Sequence, residues 1–301
     1  MKSDSMSEEL VAAIQQIRDQ NLDAEPNLTL EQMRANMEER QQLLPLPDDV
    51  AFDSVTAGSV PAEWVTAPNS DQARAVIYFH GGGYVMGSVN THREFTTRIA
   101  KACKTRVLSV DYRLAPEHPF PAAIEDGVAS FRWLLEQDID ASKIVMAGDS
   151  AGGGLTLSTL IKLRDEGTPL PVGGMLLSPW TDLAATGEST RTRAELDPMI
   201  APDELTAIAQ NYHVGNEATD PLVSPLYADL MGLPELLVQV GGAEILYDDS
   251  TRLAANALKQ GVSVDLQEWE HAFHVFQAFP GLPESAAALD EMGKFFERVT
   301  S

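Results

Sequence analysis

Cysteine is nearly absent from this chain. Cys103 is the only one, so no intrachain disulfide can form and one thiol cannot build a zinc site. It falls in an amphipathic stretch, residues 93–104, where the role of a small buried apolar residue is expected. Basic side chains are also scarce: 21 Lys and Arg stand against 45 Asp and Glu, a formal net charge of −24. A surface of that sign repels phosphate backbones and anionic headgroups, which argues against nucleic acid and acidic membranes as partners. The acids are spread along the chain, as on a solvated surface. No apolar run approaches the roughly 20 residues of a membrane-crossing helix. The first residues show no basic segment followed by an apolar stretch. No signal peptide is therefore expected, and a cytoplasmic location is.

What is present suits a folded domain, since 44% of the 301 residues are hydrophobic. Two helical segments are expected in residues 1–45. Leu10, Val11, Ile14 and Ile17 recur at helical spacing after a cap at Ser7. Thr29 and Gln32 have the spacing of a capping box for the second segment. Pro45-Leu46-Pro47 ends this region. It reads as a helical cap, with the main domain at residues 46–301. There, buried runs such as Val76-Ile77-Tyr78-Phe79, Val107-Leu108-Ser109-Val110, Ile144-Val145-Met146-Ala147 and Leu236-Leu237-Val238 alternate with amphipathic stretches. That alternation implies an α/β fold with a mostly parallel sheet flanked by helices. Residues 183–215 break the rhythm and read as an insertion over the site.

Gly148-Asp149-Ser150-Ala151-Gly152 is a G-x-S-x-G sequence between an expected strand and an expected helix. A serine presented there needs a sharp, strained turn, and the flanking glycines clear its neighbourhood. Ser150 is therefore the candidate nucleophile, against the plainer reading of a glycine turn. His80-Gly81-Gly82-Gly83 lies upstream at the end of another strand. Acyl transfer places negative charge on the former carbonyl oxygen, and glycines let backbone N–H groups approach it. Gly82, Gly83 and Ala151 are the expected donors, with His80 holding the loop. A phosphate cradle is disfavoured, because no Walker lysine follows.

In this arrangement the acid and then the histidine follow the serine. His213, His271 and His274 qualify by position. His271 and His274 stand three apart, but no third metal ligand lies at a sensible spacing, so neither metal nor cofactor is expected. Glu244, Asp248 and Asp249 follow the strand that ends near Val240. Glu244 comes first in that loop and is the favoured acid, with Asp248 the alternative. Asp248 and Asp249 sit where a helix begins, and capping it is their plainer role.

These residues resemble the bacterial hormone-sensitive-lipase-like esterases, across nearly the whole chain. The marks are His80-Gly81-Gly82-Gly83-Tyr84, Asp111-Tyr112-Arg113-Leu114-Ala115-Pro116-Glu117 and Gly148-Asp149-Ser150-Ala151-Gly152-Gly153. The resemblance implies the α/β-hydrolase fold, with eight strands and a helical cap. It favours His274, since Trp269 stands five residues before it and Val275-Phe276 follow, with valine where the family usually has glycine. It implies that the Asp111–Glu117 stretch shapes the loop beside the oxyanion hole. Glu244-Ile245-Leu246 departs from the family's usual Asp-Pro-Leu, which leaves the acid the least fixed member. The expected activity is hydrolysis of short- to medium-chain carboxylic esters, without a cofactor, in a possible homodimer. An amidase or thioesterase with the same triad is the nearest competitor. A non-catalytic binding protein is disfavoured, because serine, histidine and an acid are all present.

Overall fold

The computed structural model describes residues 6–22 and 28–301; residues 1–5 and 23–27, parts of the expected cap and leader reading, lie outside the described residues. The chain runs α1 (Glu8–Leu22), α2 (Leu30–Gln42), β1 (Ala51–Ala57), β2 (Val60–Thr66), β3 (Asp71–Phe79), α3 (Arg93–Cys103), β4 (Thr105–Val110) and α4 (Ala122–Glu136). It continues through β5 (Ile144–Asp149), α5 (Ala151–Asp165), β6 (Gly173–Leu177), α6 (Ser189–Thr192) and α7 (Pro202–Tyr212). It ends with β7 (Glu235–Gly241), α8 (Tyr247–Lys259), β8 (Val264–Trp269) and α9 (Pro283–Thr300). The eight strands form one sheet in the order β1-β2-β4-β3-β5-β6-β7-β8. Only β1–β2 and β2–β4 pair antiparallel, and the remaining pairs are parallel.

The two-residue period of the strands divides the core. Ala75, Ile77 and Phe79 face one side, with Leu155 and Leu160 of α5 and Ile124 and Phe131 of α4. Val76 and Tyr78 face the other, with Phe95 and Ile99 of α3 and Met292 and Phe296 of α9. Both faces of the sheet are covered, as the near-continuous apolar strands require. Cys103 is buried in the second cluster, and burial pushes its thiol up to about 12. It is a packing residue with little thiolate at neutral pH.

The N-terminal helices lie on the edge of the site. Thr29 and Gln32 form the expected capping box, at 3.2 and 2.8 Å. Leu10, Ile14 and Ile17 pack against Phe273 and Phe276, whereas Val11 faces solvent because it falls off that stripe. Arg18 donates to Glu195 O at 3.2 Å and Asn21 to Pro198 O at 2.8 Å, tying α1 to residues 183–215. No helix of the described residues is long and apolar enough to cross a membrane.

Candidate active site

Parallel α/β sheets place ligands beyond the carboxyl ends of their strands, and the site residues gather there. Ser150 stands between β5 and α5 with φ 53° and ψ −121°, a strained conformation for a residue with a side chain. Ser150 N–H donates to Leu177 O at 2.9 Å, and Trp180 N–H donates to Ser150 O at 2.9 Å, so the surrounding chain holds the turn. A Cβ on Gly152 would strike the carbonyl oxygens of Phe79 and His80, so glycine is required where the turn meets β3.

His274 follows β8 and its Nε2 lies 2.9 Å from Ser150 Oγ. Its Nδ1 lies 2.5 Å from Glu244 Oε2. A carboxylate only accepts, so Nδ1 carries the ring proton and Nε2 is left to accept from the serine hydroxyl. Burial opposes the imidazolium, but the Glu244 carboxylate outweighs it and holds the His274 pKa above the ordinary histidine value. The other carboxylate oxygen of Glu244 accepts from Gly241 N–H at 2.6 Å and from Ser178 Oγ–H at 2.8 Å. Its two oxygens therefore have three donors, and the side chain is fully buried.

The alternatives lie elsewhere. Asp248 accepts from Ser189 N–H at 2.9 Å and so binds the insertion. Asp249 is buried and accepts from Thr181 and Asp182 N–H at 2.7 and 2.8 Å. Burial, with Asp182 close by, pushes its carboxyl up to about 8. His213 ends α7, with Nδ1 3.0 Å from Asn216 O. Among the described residues, His274 is the histidine that reaches Ser150 Oγ.

The glycine loop after β3 packs on the turn that carries Ser150, with the Phe79 and His80 carbonyls against Gly152. Gly82 and Gly83 have φ 113° and 63°, conformations that glycine adopts without penalty. Gly82 O accepts from Val85 and Met86 N–H at 3.1 and 3.0 Å, which closes a tight turn. Among the described residues, the N–H groups of Gly82 and Gly83 have no protein acceptor. Asp149 holds the inner end of the loop: it accepts from Gly81 N–H at 2.9 Å and from the Tyr78 hydroxyl. Burial works against the Asp149 carboxylate, but His92 and the Tyr78 hydrogen bond outweigh it and keep its pKa low. His80 is fully buried beside Tyr112, ring centroids 4.3 Å apart, and its Nδ1 lies 2.7 Å from Gly81 O. Burial pushes its pKa down to about 3, so the ring is neutral.

Comparison with known proteins shows the family to which this fold belongs. The chain matches the alpha/beta hydrolase fold family over residues 76–278. An acetyl-hydrolase of Streptomyces hygroscopicus is 43% identical over 82% of this chain and 83% of its own length. An esterase of Acinetobacter venetianus is 35% identical over 89% of each chain. The crystal structure of an esterase from the bacterial hormone-sensitive lipase family superposes with TM-score 0.95, at 46% identity, covering 99% of this chain and 100% of that one. The chain belongs to the bacterial hormone-sensitive-lipase family.

Within this hormone-sensitive-lipase-family fold, the Asp111–Glu117 stretch lies against the glycine loop. Tyr112 OH donates to His80 O at 2.6 Å, and Ala115 N–H donates to Tyr84 O at 2.9 Å. Trp269 and Phe276 pack with ring centroids 5.3 Å apart, bracketing the His274 loop. Val275 takes φ 51°, a left-handed conformation unfavourable for a β-branched side chain, where family members usually have glycine. Two residues escaped the sequence reading. Ser178 Oγ donates to Glu244 and accepts from Val275 N–H at 3.1 Å, joining the acid loop to the histidine loop. Asp197, in the insertion, accepts from Ile245 N–H at 2.9 Å, next to Glu244. Burial raises the Asp197 pKa, and His274 partly opposes the shift. No periodicity or short motif marks either residue; their roles come from contacts between distant segments.

Proposed function

We propose that this chain hydrolyses carboxylic esters of short to medium acyl length through an acyl-enzyme on Ser150. The observation that carries the proposal is the unbroken Glu244–His274–Ser150 chain of hydrogen bonds, at 2.5 and 2.9 Å, beside a glycine loop that Gly81 N–H ties to Asp149. His274 Nε2 takes the proton of Ser150 as Oγ attacks the ester carbonyl. The N–H groups of Gly82, Gly83 and Ala151 receive the oxyanion, Ala151 from the first turn of α5. His274 then protonates the leaving alcohol. Water, activated by the same nitrogen, attacks the acyl-enzyme and releases the acid. Glu244 fixes the tautomer and stabilises the imidazolium.

The pocket walls are assigned to residues 1–45 and to the insertion at 183–215. In support, α1 packs on the His274 loop, and Ile208 of α7 lies against Gly83 so closely that a Cβ there would sit 2.5 Å from its methyl group. The acyl-length preference rests on the family resemblance. So does a homodimer, which light scattering tests. The sequence reading adds a cytoplasmic location, which cell fractionation tests.

A panel of p-nitrophenyl esters from acetate to palmitate, beside matched amides and thioesters, tests the proposal. Highest kcat/KM is expected on the shorter esters. A higher kcat/KM on amides or thioesters would transfer the activity to that bond.

A further inference from the structure

The oxyanion turn is held from a direction that the chemistry above does not use. Arg34 projects from α2 and spends its guanidinium on two segments. Its Nε donates to Val85 O at 2.7 Å, and Nη2 donates to Ala115 O at 2.9 Å. Nη1 and Nη2 also grip the two carboxylate oxygens of Glu117, each at 2.8 Å. Glu117 is half exposed, yet the Arg34 hydrogen bond holds its pKa down at about 2. A planar guanidinium presents its donors in a fixed fork, so four bonds to three residues fix their relative positions.

Those positions bear on the glycines. The inner end of the loop is tied down by Asp149 to Gly81 and by Tyr112 to His80. The outer end runs through Tyr84 O, bonded to Ala115 N–H, and Val85 O, bonded to Arg34. Gly82 and Gly83 lie between these anchors. Their own φ values are ones glycine leaves readily, so glycine alone cannot keep the two N–H groups in a fixed orientation. Glu38 of α2 adds a further contact, accepting from the Ser88 hydroxyl.

We infer that Arg34 is a positioning residue for the oxyanion hole: through Val85 and Ala115 it fixes the 82–86 turn, so that docking of α2 completes the catalytic geometry. The inference rests on the esterase reading and on Gly82 and Gly83 as donors. A cap helix then does more than wall the pocket, because the hole is fully ordered only while α2 is seated.

The test uses the full chain with Arg34→Ala and Arg34→Lys. It reads kcat and KM on a short p-nitrophenyl ester, and the Ki of an alkyl boronic acid, whose tetrahedral adduct with Ser150 needs the same N–H donors. For Arg34→Ala, kcat is expected to fall about 10- to 100-fold, less than the roughly 10²–10³ seen when a donor is removed outright. Boronate Ki is expected to weaken by the same factor as kcat/KM, with KM changed less than about threefold. Arg34→Lys keeps the positive charge but replaces the planar fork by a single ammonium that cannot reach all three partners, and it is expected to lie between. A purely structural clasp would lower Tm or raise KM while leaving kcat and boronate Ki within about twofold of wild type, and that result overturns the inference. If Arg34→Ala does not fold, Arg34→Lys decides: wild-type kcat and Ki in that variant overturn it equally. An inactive wild type whose Ser150 does not react would instead sink the esterase reading.

Discussion

Replacing Glu244 by glutamine changes one atom of the site and leaves its shape. The glutamate oxygen bonded to Gly241 N–H and Ser178 Oγ must remain an acceptor, so the glutamine carbonyl takes that position. The amide NH₂ is then turned toward His274 Nδ1, where the carboxylate oxygen had been at 2.5 Å. Two donors cannot face each other, so the ring moves its proton to Nε2. That nitrogen lies 2.9 Å from Ser150 Oγ and can no longer accept its proton. Wrong-tautomer histidine in a serine triad lowers kcat by about 10⁴, or roughly 5 kcal/mol of transition-state stabilisation. The pH profile gives a second readout. The general base works deprotonated, so the acidic limb of kcat/KM follows the free-enzyme pKa of His274. In the wild type that limb is expected above the ordinary histidine value, because Glu244 outweighs burial. In Glu244→Gln the burial effect is left unopposed by the carboxylate, and the limb is expected to move down. Initial rates between about pH 5 and 9 with a saturable ester provide both numbers. A variant that keeps kcat within tenfold of wild type would refute the reasoning. A dead Asp248→Asn beside an active Glu244→Gln would transfer the role to Asp248.

Other outcomes follow from the same contacts. Ser178→Ala leaves Glu244 one donor short and Val275 N–H without its acceptor; a fall of about 10- to 100-fold in kcat and a loss of about 1–3 kcal/mol in urea unfolding are expected. An unchanged variant would show that Ser178 holds neither loop. Asp249 keeps its proton up to about pH 8 in the folded chain, whereas an unfolded aspartate loses it near pH 4. The unfolded state then binds fewer protons, so this group's contribution to stability falls as pH rises from about 4 to 8. Asp249→Asn cannot titrate, and its Tm is expected to gain on the wild type between pH 5 and pH 8.5; a constant difference would contradict the shift. With a net charge of −24, screening of self-repulsion is expected to raise Tm from about 10 to 150 mM NaCl, as the Debye length shrinks from about 30 to 8 Å. A Tm that falls over that range would argue against a repulsive surface.

Much of the fold was legible because its central strands are covered on both faces. Ile144 to Ala147 form an unbroken apolar run, and the glycine turn after it marks where the nucleophile stands. The hairpin of β1 and β2 was missed for the opposite reason. Ala51–Ala57 is mostly exposed, and β2, although buried from Ala62 to Val65, carries Pro61 and Glu63, so neither strand shows the unbroken apolar run of the central strands. The glycine loop, Ser150 and the two candidate loops for acid and base were readable from order along the chain. The preference for Glu244 over Asp248 rested only on its coming first in the loop, because the choice depends on which carboxylate the β7 turn aims at His274. Ser178 was equally hidden: its partners lie 66 and 97 residues away. Asp197 and Arg34 likewise act on backbone groups of distant segments, and such contacts leave no spacing in the sequence. The Asp111–Glu117 stretch was visible only as a family mark, and its physical sense appears once Tyr112 and Ala115 are seen against the glycine loop.

Titration of the protein with a fluorophosphonate ester tests the central claim most directly. The account predicts that one equivalent reacts, that the added mass maps to the peptide carrying Ser150, and that ester hydrolysis disappears in proportion to labelling. Hydrolysis that survives full labelling, or a label carried by any other residue, would contradict it.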